Sequence, residues 1–496
     1  MSEPIPTIAE ASRLIAAKQL SPVELTRACL ERVHALDGKL HAFVRLTEER
    51  ALAEARAAER AIVAGRPSGP LQGIPIGLKD IVDTKGIPTT CGSKFLQDNI
   101  PDTDAACAEK LAAAGTVLMG KLTTHEFADG GPSFDLPAPP ARNPWNTEHF
   151  TAGSSSGTGA GVAAGLILGG IGTDTGGSIR GPAALCGIAG IKPTYGLVSR
   201  AGVAPAAYSL DHIGPMAWTA EDCALMLQAL AGHDPRDPAS ASRSIPNYTA
   251  LLGSGIKGLK IGVIHHFHET DHKVSEGTQR GIDAALASFR DLGAELREVQ
   301  LSPLQDWAAC GSLISMTERA AAYEEWSRTR LGDFSERLRS RLILGALVSG
   351  VDYVQAVRRR RELRAELQQA MAGLDVVLTA TQPAEAAKID AVPKWDLFDK
   401  PGFAMPFNVA GYPAISICAG FGAGGLPVGD PARRQAVPGA DPVPRRRRLR
   451  EGDPVPRPAP GAVFRRPHPS VTGNGHEHGP VTARHVRGKG RRPLLP

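Results

Sequence analysis

Near its start the chain repeats apolar residues every three or four positions, first through TIAEASRLIAAKQLSPVELTRACLERVHALD and then through the alanine-rich ERALAEARAAERAIVAG. That spacing places the apolar residues on one face of a helix. Ser21 and Pro22 stand where a helix N-cap and first helical residue belong. Short apolar runs follow, GIPIGLKDIV, GTVLMGK, GLKIGVI, LDVVLTAT and AISICAGF, each suited to a buried strand. Further helical patterns separate them, including SEGTQRGIDAALASFRDLGA, with a start near Ser275, and the long VQAVRRRRELRAELQQAM, whose four arginines read as a solvated face. Alternation of this kind predicts an α/β fold: a large central mixed β-sheet covered by helices on both faces.

The 496 residues leave room for one large domain or two. No apolar run is long enough to span a membrane, and the start has neither the basic region nor the apolar core of an export signal. Seven scattered cysteines without a CxxC pair suit a reducing cytoplasm. The net charge of +5 is unevenly held. Residues 430–496 carry 15 Lys/Arg against 5 Asp/Glu, which leaves a net of −5 for the rest. The body therefore gives no reason to expect a nucleic-acid partner.

Three literal motifs fit their contexts poorly. GSGIKG at residues 253–258 has the spacing of a dinucleotide fingerprint but precedes a strand instead of following one, and reads as a turn. HETDH at residues 268–272 matches HExxH, yet it lies between a strand and a helix start, so it reads as a polar loop and no metal is expected. GSSSG at residues 153–157 matches a nucleophile elbow with Ser155 as nucleophile. An elbow needs a preceding strand and a later catalytic histidine; the residues before it look like a loop, and none of the later histidines has a recognisable setting. This serine hydrolase reading stays as an alternative.

A fourth pattern spans both serine-glycine clusters. GIPIGLKD, AGSSSGTGAG and GTDTGGSIRGPAALCGIAGIKPTYGLVSRAGV together resemble the amidase signature family, and the resemblance runs from about residue 5 to 429. It implies a Ser-cisSer-Lys triad of Lys79, Ser154 and Ser178. Ala152 and Ser156 stand where glycine is frequent, and Thr158 replaces a serine; these are exchanges of small residues. The residue types suit the chemistry. A serine hydroxyl needs a base, and a lysine serves only when neutral. Desolvation in the apolar GIPIGLKDIV run lowers a lysine pKa. In Thr175, Gly176, Gly177 and Ser178, successive N–H groups without large side chains are expected to form an oxyanion hole. Asp174 and Arg180 are expected to pair and brace that loop, while Pro182 and Cys186 pack in the next helix.

The resemblance covers stand-alone amidases and the A subunit of a tRNA-dependent amidotransferase; FADGGPSFDLPAPPARNPW favours the former. His125, Phe134, Tyr208 and residues from about 306 to 350 are expected near the substrate, a small-molecule amide. No cofactor is implied, and a homodimer is left open. The domain reading is a helical segment at residues 1–65 packed on a catalytic body at residues 66–429, then a tail. Within that tail, codons for DPARRQAVPGADPVPRRRRLREGDP can be chosen so that the frame one nucleotide later spells IQLAGKPFREQTLFRVAAGYEKATP, the strand and amphipathic helix with which the family continues. A frameshift is therefore expected near Gly429. The alternative is a disordered basic tail.

Overall fold

The computed structural model describes residues 5–395 and 400–428. The tail expected to begin at residue 430 lies outside the described residues. Among those described, strands β1 (Phe43–Leu46), β2 (Pro75–Lys79), β3 (Val117–Leu122), β4 (Gly169–Asp174), β5 (Ala189–Lys192), β6 (His212–Ala217) and β10 (Ala414–Ser416) form one sheet in the order β1-β3-β2-β4-β6-β5-β10. Strands β7 (Lys260–Val263), β8 (Glu295–Glu298) and β9 (Val376–Leu378) form a second, in the order β8-β7-β9. β2 runs parallel to β3 and β4, and the other pairs of the large sheet are antiparallel, so it is mixed. The small sheet is all parallel.

Helices α1 (Ile8–Ala16), α2 (Pro22–Leu40), α3 (Glu48–Val63), α4 (Ala106–Ala113), α5 (Ser156–Ala163), α6 (Arg180–Cys186) and α7 (Ala220–Leu230) accompany the large sheet. The helices α8 (Glu276–Asp291), α9 (Leu304–Ala322), α10 (Glu324–Thr329), α11 (Glu336–Leu347), α12 (Gly350–Ala370) and α13 (Met405–Ala410) follow. Ser21 caps α2 by accepting from the N–H groups of Val23 and Glu24, an arrangement worth about 1 kcal/mol. Ile8, Leu25 and Ala55 from the first three helices pack into one core with Ile76, Leu118 and Ile171 of the central strands.

Register decides where the chemistry collects. β2 pairs with β4 so that Leu78 faces Ile171, and Lys79 faces Leu122 of β3. The carboxyl ends of three parallel strands thus meet, the place where open α/β sheets hold ligands.

Candidate active site

Lys79 ends β2, a strand buried at every residue. Its Nζ lies 2.7 Å from Ser154 Oγ and 2.8 Å from Thr173 Oγ1 of β4. Burial pushes the lysine down to about 7, against the opposing pull of Asp174, Asp211 and Cys91. A substantial fraction of this amine is therefore neutral at pH 7. Ser154 is fully buried, and the Gly153–Ser154 peptide is cis. Close packing explains the glycine before it. A Cβ at Gly153 would stand 2.1 Å from the His125 ring.

The second serine cluster abuts the first through the Ser155 N–H, which donates to the Ser178 carbonyl at 3.3 Å. Ser178 is half-buried in the turn between β4 and α6. Asp174 organises that turn: its carboxylate accepts from the N–H groups of Gly177 at 2.8 Å and Ile179 at 3.2 Å, and pairs with the Arg180 guanidinium at 3.0 and 2.9 Å. Burial alone would raise the Asp174 pKa, but the Arg180 charge and hydrogen bonds, with Lys192 and Asn408, outweigh it and hold the carboxyl well below the usual range. Asn408 of α13 locks the pair by donating to Asp174 Oδ1 at 2.9 Å and accepting from Arg180 at 2.5 Å.

Of the four residues expected to form an oxyanion hole, Gly177 directs its N–H to Asp174 at 2.8 Å.

Of the expected substrate-side residues, His125 is buried, and its Nδ1 accepts from the Gly131 N–H at 2.9 Å. Burial and the nearby Lys79 charge push it down to about 3, so the ring is neutral. Phe134 and Tyr208 lie exposed at the surface. Pro182 and Cys186 are buried in α6 and pack so closely on α5 that a Cβ placed on Gly159 would stand only 3.0 and 3.2 Å from them, so their packing role holds.

The competing motifs settle differently. The Ser155 hydroxyl donates to the Thr173 carbonyl at 3.3 Å and accepts from the Thr173 N–H at 3.2 Å, and no strand directly precedes it. No imidazole hydrogen-bonds it among the described residues. HETDH falls largely in one wide helical turn, Phe267–Asp271, instead of a polar loop: His268 is fully buried, while His272 bonds the Pro401 carbonyl and stacks on Phe403. GSGIKG lies in turns ahead of β7. The arginine run is only partly solvated, because Arg360 reaches the Val409 and Ser209 carbonyls, each at 2.8 Å.

Two supporting residues escaped the sequence reading. Thr173 lies inside the quoted motif, and its period along β4 places it beside Lys79. Asn408 is more than two hundred positions away and has no local signal.

Fold and site define an α/β enzyme with a serine hydroxyl held against a buried amine at the strand ends. The Amidase family model matches residues 24–430. The glutamyl-tRNA(Gln) amidotransferase A chain of Chloroflexus aggregans (strain MD-66 / DSM 9485) is 40% identical over 454 residues, covering 85% of this chain and 91% of that protein. Among solved structures, a chain from a vestigial protein complex bearing on the origins of an s-triazine catabolic enzyme aligns with TM-score 0.80 at 32% identity, covering 86% of this chain and 93% of that one. The native peptide amidase from Stenotrophomonas maltophilia aligns with TM-score 0.75 at 32% identity, with coverage of 86% and 93%. The chain belongs to the amidase signature family and is a hydrolase of amide C–N bonds. No helix among the described residues is long and apolar enough to cross a membrane.

Proposed function

We propose that the enzyme hydrolyses a small carboxylic amide to an acid and ammonia or an amine through an acyl-enzyme on Ser178. The observation that carries this reading is the buried Lys79 amine 2.7 Å from Ser154 Oγ, beside the turn that bears Ser178. Ser178 Oγ attacks the carbonyl carbon and passes its proton to Ser154, which passes its own to neutral Lys79. The carbonyl electron pair moves onto oxygen, where the N–H groups of Thr175, Gly176 and Ser178 receive it. One such donor is worth roughly 3 kcal/mol in the transition state. Collapse breaks the C–N bond, the leaving nitrogen takes the proton back through Ser154, and water repeats the sequence on the ester. Asp174 and Arg180 keep the turn in shape, and His125, Phe134 and Tyr208 border the substrate. The catalytic body is residues 66–429, with residues 1–65 packed on it, and the enzyme works in the cytoplasm.

A second reading, the A subunit of a tRNA-dependent amidotransferase, is favoured by the 40% identity to such a protein in Chloroflexus aggregans. Ammonia release from a panel of amides that includes glutamine tests the choice. A stand-alone amidase turns over a small amide by itself. Chain that is inert on every amide alone, yet active with partner proteins and glutamyl-tRNA, establishes the second reading.

A further inference from the structure

A cavity of about 570 Å³ lies between the two sheets, walled by Ile191, Ile261, Phe289, Val377, Phe407 and Ile415. It separates two strand edges. β10 pairs only with β5, and β9 only with β7, among the described residues. Just past β9, Thr381 Oγ1 lies 3.3 Å from Ser416 Oγ of β10. Along them Val376, Ile415 and Ile417 are each nearly half exposed, at 48%, 45% and 46%. Apolar side chains on an open edge invite another strand.

The chain itself is aimed at this gap. After β10 it reverses through a tight hairpin in which Phe421 and Pro427 bridge antiparallel. The Val428 N–H donates to the Gly420 carbonyl at 2.8 Å, and Val428 lines the cavity wall. A strand continuing from Val428 in the sense of that hairpin would run back antiparallel along β10. The encoded continuation, DPARRQ, is a poor fit for that place. Pro431 lacks the N–H a ladder needs, and Arg433 and Arg434 would bring charge into apolar surroundings. Codons can be chosen so that the neighbouring frame spells IQLAG at the same positions and, after KP, FREQTLFRVAAGYEKA, whose Leu, Val and Tyr recur at helical spacing.

We propose that this cavity is the seat of a strand and an amphipathic helix of sequence IQLAGKPFREQTLFRVAAGYEKATP, which the gene encodes one nucleotide out of the present frame from residue 430 onward. The strand enters between β10 and β9 and joins the two sheets into one. The helix closes the apolar gap from outside.

The test compares the full 496-residue chain with a frame-restored chain in which this sequence follows Gly429. The restored chain is expected to melt several degrees higher, and Ile415→Asp is expected to remove most of that gain while barely moving the melting point of the encoded chain. The gene's codons from residue 430 are expected to spell the restored sequence one nucleotide over. A restored chain that melts no higher than the encoded one, or codons that do not spell it, overturns the proposal. So does a chain ended at Gly429 that melts several degrees below the encoded chain, since the tail as encoded would then fill the gap.

Discussion

The interior of the large sheet is sealed, whereas the gap between its β10 edge and the small sheet is open. β2, β3, β4 and β6 are buried at every residue, and the polar groups among them are mostly matched: Lys79 with Ser154 and Thr173, Asp174 with Arg180 and Asn408. β8, β9 and β10 each keep an exposed residue, and the surface between β9 and β10 is apolar but open. The contrast shows where the fold concentrates its constraints. Desolvation is what brings Lys79 toward a neutral form near pH 7, so the reacting half must be sealed. The other half tolerates an incomplete edge because no ionisable group of the proposed triad depends on it.

Breaking the sealed side should cost most. Arg180→Met leaves the Asp174 carboxylate buried with its main partner gone, which costs about 3–5 kcal/mol for a pair of this kind. Urea unfolding is the measurement, and a loss under about 1 kcal/mol would mean the pair is not what holds the turn. Next in size is pH. Lys79 must be neutral to act, so kcat/KM should rise with pH roughly tenfold per unit below about 7 and level off above it. A profile that is flat from pH 5 to 7, or falls, removes Lys79 as the base.

The two sides can also be compared directly. Ile171→Ala, fully buried in β4, should cost about 2–5 kcal/mol, whereas Ile415→Ala on the open edge should cost under about 1 kcal/mol. Equal losses in urea would erase the distinction between the sealed interior and the open edge. The smallest effect is expected at Ala152, which takes the left-handed backbone at φ 58°. Ala152→Gly should stabilise the fold by up to about 1 kcal/mol, since a side chain is disfavoured there. Thermal unfolding tests it, and destabilisation would place the strain elsewhere.

The sequence showed strands where they are apolar runs and missed them where pairing makes them. β2, β3, β7, β9 and β10 fall in the five runs read as strands. β4 and β6, GGIGTD and HIGPMA, are as deeply buried, but glycine hides them: they are strands because their neighbours pair with them. β8, ELRE, is polar enough to read as loop. The site was legible because Lys79, Ser154, Asp174, Ser178 and Arg180 sit in short motifs whose residue types already suit the chemistry. Ala152, an unremarkable exchange of small for small on paper, proves to occupy a backbone that favours glycine. The Gly177 N–H donates to Asp174, a use that depends on where the Asp174 side chain points and that no local pattern records.

The central claim is that Ser178 is the nucleophile and Lys79 its base. Labelling the full chain with a fluorophosphonate and locating the adduct by peptide mass spectrometry tests it most directly. The account predicts an adduct on Ser178, absent from Ser178→Ala and formed at least about a hundredfold more slowly in Lys79→Ala. An adduct on Ser155 with Ser178 unmodified, or labelling of Ser178 at an undiminished rate without Lys79, would contradict it.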